Sequence, residues 1–105
     1  MSIDFSKVIT AEAKAAAARA ALVAAVQTAV DEHVEAVARA KGYNGAAHLA
    51  SYVASTVKAW ADEATAFVAW RDAVWLTVIT GMEAGQMPAS PAEVVAALPK
   101  IDPAA

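Results

Sequence analysis

TAEAKAAAARAALVAAVQTAVDEHVEAVARAK, residues 10–41, decides the fold. Neither glycine nor proline interrupts it, and good helix formers fill it. Thr10 is placed to cap a helix, with Glu12 in the first turn where the dipole favours a carboxylate. Gly42 supplies the stop. The stretch therefore predicts one helix over 11–41, about 31 residues and roughly 46 Å long.

That helix changes character halfway. From Leu22 onward it is amphipathic: Leu22, Val26, Val30, Val34 and Val37 share an arc of about 120°. Asp31, Glu32, Glu35 and Arg39 fall on the far side, with Glu35 and Arg39 four apart and able to pair. Between Ala11 and Ala21 no such contrast exists, since alanine occupies nearly every direction around Glu12, Lys14 and Arg19. A compact domain of this size is only roughly 33 Å across, so the predicted helix overshoots it. Two readings of residues 11–25 stand. Their small side chains let a second helix approach closely, which makes Ala15, Ala18, Arg19 and Leu22 a self-association seam in a dimer or trimer. Alternatively the stretch folds back on the third helix or frays.

Three more helices are legible further on. Asn44-Gly45 opens a short one over 45–55, with Leu49, Tyr52, Val53 and Thr56 at helical spacing. Ser55 or Thr56 is placed to cap a third over 57–84, which Gly85 ends. On it Val57, Trp60, Ala64, Phe67, Val68, Val74, Trp75, Val78, Ile79 and Met82 share an arc of about 120°. Trp70 sits at the edge of that arc and Arg71 near its centre, where a charge needs a partner or a path to water. Ser90-Pro91-Ala92-Glu93 is a capping box with proline at the first helical position; it starts a fourth helix over 91–98 that Pro99 ends. Residues 1–10 and 100–105 read as tails, leaving one domain over 11–99. The expected fold is all-α: a small bundle of two long and two short helices, expected to be a homo-oligomer through its alanine-rich arm.

Composition excludes several functions. The chain has 105 residues, of which 31 are alanine, 13 valine and only 4 leucine. There is no cysteine, hence no disulfide framework, thiolate nucleophile or thiolate metal site. A net charge of -3, with 8 scattered Lys and Arg, gives no basic stripe for nucleic acid and no pull toward an anionic membrane. The longest uncharged stretches, 20–30, 42–57 and 73–82, fall short of the roughly 18–20 apolar residues of a membrane span. No secretory signal is legible, which makes the cytoplasm the default compartment.

No catalytic or metal constellation emerges. Neither His33 nor His48 stands in a His-x-x-x-His, Glu-x-x-His or His-Glu-x-x-His pattern, and His33, on the apolar arc of the first helix, reads as a partly buried structural residue. Ser51 and Ser55 lack a nucleophile elbow. Asp31-Glu32 and Asp62-Glu63 are adjacent pairs pointing in different directions, as on solvated faces. Gly42-Tyr43-Asn44-Gly45 lacks the spacing and the Lys-Ser/Thr of a phosphate loop. No cofactor is expected. Trp60, Phe67, Trp70 and Trp75 form either the bundle core or, through one exposed indole, a protein-binding anchor. Trp70 is the first choice for that indole, with Arg71 and Trp75 beside it. Arg71 has Trp60 or Trp75 to stack on and Asp72 or Glu35 to pair with.

Gly42-Tyr43, Ala50-Ser51-Tyr52, Glu63-Ala64 and the run from Phe67 to Trp75 together resemble small proteins of tailed bacteriophages and prophages encoded beside tail-fibre genes. The resemblance continues through Glu83-Ala84-Gly85, Met87-Pro88, Ser90-Pro91 and Leu98-Pro99, and begins with Ile9-Thr10-Ala11-Glu12. It implies a non-enzymatic, tail assembly chaperone-like protein that binds a tail or tail-fibre protein through Trp70, Arg71 and Trp75. The alternative it implies is a structural virion component, such as a fibre-attachment or baseplate piece. Its place would be the host cytoplasm, with the virion tail as the second location.

Overall fold

A computed structural model describes residues 5–85, 88 and 90–101, with side chains from residue 10 onward. The described residues contain helices and no strand. Helix α1 spans Phe5–Ala40, α2 Ala46–Ala50 with a 3-10 turn Ser51–Ala54 behind it, α3 Lys58–Glu83 and α4 Pro91–Ala97.

The chain turns back after α1 because Gly42 adopts φ 97°, a left-handed conformation that a side chain would disfavour. The Gly42 amide donates to the Arg39 carbonyl at 2.9 Å and the Tyr43 amide to the Ala38 carbonyl at 3.2 Å. This is the two-bond Schellman stop, which satisfies carbonyls the helix end would leave bare. Gly85, at φ 77°, ends α3 in the same conformation. At α4 the capping box forms as the sequence predicts: Ser90 Oγ accepts the Glu93 amide at 3.3 Å, and Pro91 is the first helical residue.

The core is one small cluster. Val26, Val30, Val34 and Ala38 of α1 are buried against Ala64, Phe67, Trp70, Val74 and Val78 of α3, with Leu49 of α2 and Leu98 after α4 closing the ends. Each fully buried valine, leucine or phenylalanine contributes about 1.5–3 kcal/mol relative to exposure. Val26 lies beside Val78 at one end of this hairpin, and His33 beside Trp70 further along, so α1 and α3 run antiparallel. Helix α4 makes the closer approach to α1. Phe67 and Trp70, being large, fill the wider space between α1 and α3.

Several sequence expectations need correction. Helix α1 begins at Phe5, so Thr10 lies inside it and is no cap, and residues 5–10 are not a tail. Residues 1–4 of that expected tail and 102–105 of the other lie outside the described residues. Ile101 packs against the core, so the C-terminal segment is held that far. The second helix is an α-turn followed by a 3-10 turn rather than one helix to residue 55. Helix α3 starts at Lys58 behind Val57, with no side-chain cap; Ser55 Oγ instead accepts the Val57 amide at 3.1 Å.

The core face of α3 is rotated from the predicted arc. Trp70 is 7% exposed, while Trp60 and Ile79, both inside that arc, are 49% and 47% exposed. The Trp70 indole Nε1 donates to the Pro99 carbonyl at 2.8 Å. That bond satisfies the one polar atom of a buried indole and ties the segment after α4 to α3.

Glu35 also departs from expectation. It pairs with Arg39 at 3.7 Å, yet the same carboxylate reaches across to accept the Ala46 amide at 3.2 Å, at the start of α2. The chain passes so close there that a Cβ placed on Gly45 would collide with the Glu35 carboxylate. Gly45→Ala is therefore expected to push the flexible Glu35 carboxylate off the Ala46 amide and lower stability by about 0.5–1.5 kcal/mol, the worth of one hydrogen bond. Thermal denaturation of the variant measures it, and a melting temperature equal to the parent's would show that Glu35 swings away at no cost.

Residues 10–21 of α1 are exposed on every side. The molecule accordingly measures 75 × 21 × 19 Å, with a radius of gyration of 19.2 Å, against ~13 Å for a compact chain of this length. A folded-back arm is thus not what the helix does.

Candidate functional site

Two surfaces stand out, at opposite ends of the molecule. The first is the bare arm of α1. Ala11, Ala15, Ala18 and Leu22 stand at spacings of four, three and four, which aligns them on one helix face. Leu22 is half-buried where this face meets the core. Lys14 and Arg19 interrupt the alanines. By length and composition alone, α1 over Thr10–Ala40 also satisfies the criterion for a membrane-crossing helix. The count of uncharged stretches misses this because Lys14 and Arg19 break the run without ending the helix. Val26, Val30 and Val34 in its second half are core residues, covered by α3 and α4.

The second surface is an aromatic cleft where the α1–α2 turn meets the start of α3. Lys41, Gly42, Tyr43, His48, Tyr52, Trp60 and Glu63 line an open cavity of about 380 Å³. The rings form a continuous chain: Tyr43 to His48 at 5.5 Å, Tyr43 to Tyr52 at 5.5 Å, His48 to Tyr52 at 5.3 Å and Tyr52 to Trp60 at 5.7 Å between centroids. The planes meet at 60–81°, edge toward face as ring quadrupoles prefer. Three local arrangements place them. The Schellman stop aims Tyr43, α2 and the 3-10 turn behind it set His48 and Tyr52 four apart, and the first two turns of α3 carry Trp60 and Glu63 three apart.

Polar contacts fix the walls. The Asn44 amide donates to His48 Nδ1 at 3.0 Å, which leaves the proton of the neutral ring on Nε2, 3.4 Å from the Tyr52 hydroxyl. The Tyr43 hydroxyl donates to Glu63 Oε1 at 2.8 Å. Glu63 is thus a half-buried acceptor rather than part of the solvated pair the sequence suggests. Asp62, its neighbour, does face water and pairs with Lys58.

The Glu63 carboxylate, by accepting the Tyr43 hydrogen bond, pushes the Tyr43 pKa up to about 12; desolvation and repulsion between a phenolate and Glu63 add to this. The folded-state value lies above the unfolded one near 10. The linkage therefore contributes stability below pH 10 and loses it as pH rises toward 12, because unfolded chains release the proton first. Ultraviolet titration of the phenolates is expected to show one tyrosine ionising late, and Tyr43→Phe to remove that late step. Two tyrosines titrating together near pH 10 would contradict the Tyr43–Glu63 bond.

The residues predicted as a partner site are only partly brought together. Trp70 faces inward, edge-to-face with His33 at 5.8 Å, and is not an exposed anchor. Arg71 pairs with Asp72, its Nε and Nη2 both reaching Oδ1 at 3.2 and 3.1 Å. This exposed pair adds little to stability. Trp75 is half-exposed, with Leu76 63% and Ile79 47% exposed beside it on α3. These three give α3 an apolar outer edge. A further apolar cleft, about 240 Å³, lies between Val26, Val78, Met82, Val94 and Leu98, with Glu93 at its rim. Among the described residues no group of three His, Asp or Glu stands together as metal ligands would.

No protein-family model, no characterised protein and no solved structure matches this chain. The class that its fold and surfaces define is an all-α helical hairpin closed by two short helices, with an aromatic cleft at one end and a bare helical arm at the other.

Proposed function

We propose that the protein is a non-enzymatic accessory factor of phage tail assembly that holds a tail or tail-fibre polypeptide while it assembles. The observation that carries this reading is the apolar outer edge of α3, where Leu76 and Ile79 are exposed beside Trp75, itself half-buried against the core. Side chains of that size on a small domain's surface favour burial against another polypeptide. Arg71 borders the edge and supplies the charged contact that often accompanies tryptophan at interfaces. The bare arm, through Ala15, Ala18, Arg19 and Leu22, joins copies of the chain to one another. The resemblance to tail-fibre-associated phage proteins supplies the partner's identity, and the host cytoplasm is the place of action.

Co-expression with the fibre protein encoded alongside tests this. The fibre is expected to stay soluble and trimerise with this chain present, and to aggregate without it or with Leu76→Asp. Fibre that matures equally well alone removes the chaperone reading. The length of 75 Å suits a second role, a piece built permanently into the tail. Mass spectrometry of purified virions separates the two, since an assembly factor leaves the finished particle.

A further inference from the structure

The aromatic cleft has no part in that reading, and its chemistry points elsewhere. Aromatic faces carry negative charge density, and indole attracts cations most strongly. Here Tyr52 and Trp60 stand nearly perpendicular, at 81°, so the cleft has walls on more than one side rather than a single stacking platform. Trp60 is 49% exposed, leaving much of a large indole open to a guest. Glu63 lines the same cleft, and the Tyr43 hydroxyl holds one of its oxygens at 2.8 Å. The carboxylate is thus oriented and keeps acceptor capacity for a positive group. His48, whose Nδ1 accepts the Asn44 amide, adds a further ring to the wall. An anion would meet Glu63, and a neutral apolar molecule would waste it.

We propose that the cleft walled by Tyr43, Tyr52 and Trp60 and floored by Glu63 binds an organic ammonium cation, of the quaternary or methylated alkylammonium class. Its volume of about 380 Å³ accommodates a trimethylammonium group with several attached carbons. Lys41 borders the cleft and is the one cationic side chain among its lining residues. Two sources carry this chemistry: a free small molecule such as choline, or a trimethylated lysine side chain.

The test is titration of the full-length protein with choline, with N-acetyl-trimethyllysine amide, and with 3,3-dimethylbutanol, the neutral isostere of choline. Tryptophan fluorescence and NMR shifts of the Trp60 indole are the readouts. The two cations are expected to bind saturably and the neutral isostere at least threefold more weakly, in the range of exposed cation–π contacts. Trp60→Leu is expected to weaken both cations roughly tenfold and Glu63→Gln roughly three- to tenfold. Circular dichroism of each variant confirms that the helices are retained. Stronger choline binding assigns the free molecule as guest, and stronger trimethyllysine binding assigns the side chain. Equal affinity for the neutral isostere, absence of saturation, or binding untouched by both Trp60→Leu and Glu63→Gln overturns the proposal. None of these outcomes bears on the α3 edge or the α1 arm, so the assembly reading stands or falls separately.

Discussion

Phe67→Ala is expected to be the most damaging single change in the core, lowering stability by about 3–5 kcal/mol. Phe67 is fully buried and is the largest of the side chains closed off completely. It packs at 5.8 Å against Trp70, whose indole in turn holds the Pro99 carbonyl, so the cavity would open between α1, α3 and the segment after α4. A domain of this length has a total stability of only about 5–15 kcal/mol. The variant should therefore show a much lower denaturation midpoint and partial unfolding at 37 °C. Ile79→Ala is the informative companion. Both residues lie in the apolar arc read from sequence, yet Ile79 is 47% exposed. Its loss should cost below ~1 kcal/mol, as for surface positions. Comparable losses at the two positions, followed by urea denaturation, would mean that α3 is turned as the sequence arc has it and not as described.

That comparison identifies what the sequence holds and what it lacks. The α1 core row was legible because valines alternate with charges at a spacing that leaves one possible face. Gly42, Gly85 and Ser90-Pro91 were legible because their chemistry is local: a positive φ or a cap is decided within four residues. On α3 the apolar residues cover more than one face. Periodicity alone cannot choose which third of the helix turns inward. The face that turns inward is the one whose Trp70 N–H meets a partner far along the chain, the Pro99 carbonyl, which no local spacing encodes. The start of α1 was missed for a related reason. Thr10 has the chemistry of a cap, but alanine-rich sequence on its far side and helix-compatible residues before it let the helix run on to Phe5.

The aromatic cleft was illegible for a different cause. Tyr43, His48, Tyr52, Trp60 and Glu63 belong to three elements, and only two of the pairs, His48–Tyr52 and Trp60–Glu63, show helical spacing. Those spacings had no metal or catalytic meaning. What joins them is the approach of α2 to α1, set by Gly45 against Glu35. Had Gly45 been read as a residue needed for close contact rather than only as a helix opener, the turn would have been placed and Tyr43 with it. The α1 arm, by contrast, was legible from length arithmetic, since a helix longer than its domain must project.

Removing residues 1–20 is expected to leave the melting temperature nearly unchanged while reducing the molar mass in solution from that of a dimer or trimer to that of one chain. Residues 10–20 are exposed throughout, so their loss takes no described side chain from the core. The helix that remains still holds Val26, Val30, Val34 and Ala38 against α3 and α4. The area involved is large. The chain exposes 7034 Å², whereas a compact monomer of its mass exposes roughly 5,500 Å². The excess exceeds the roughly 800 Å² that each partner contributes to a stable interface. An alanine-rich helix of this length is marginal in water by itself, so a row such as Ala11, Ala15, Ala18 and Leu22 gains order by pairing with its copy. Arg19, beside that row, should set the orientation of the pair: an Arg19→Glu chain is expected to associate with the parent chain more readily than with itself. Light scattering on the full chain, the truncated chain and the Arg19→Glu chain decides the matter. A full chain that is monomeric at millimolar concentration would leave the arm free for the tail partner alone, and would remove self-association as the reason for its length.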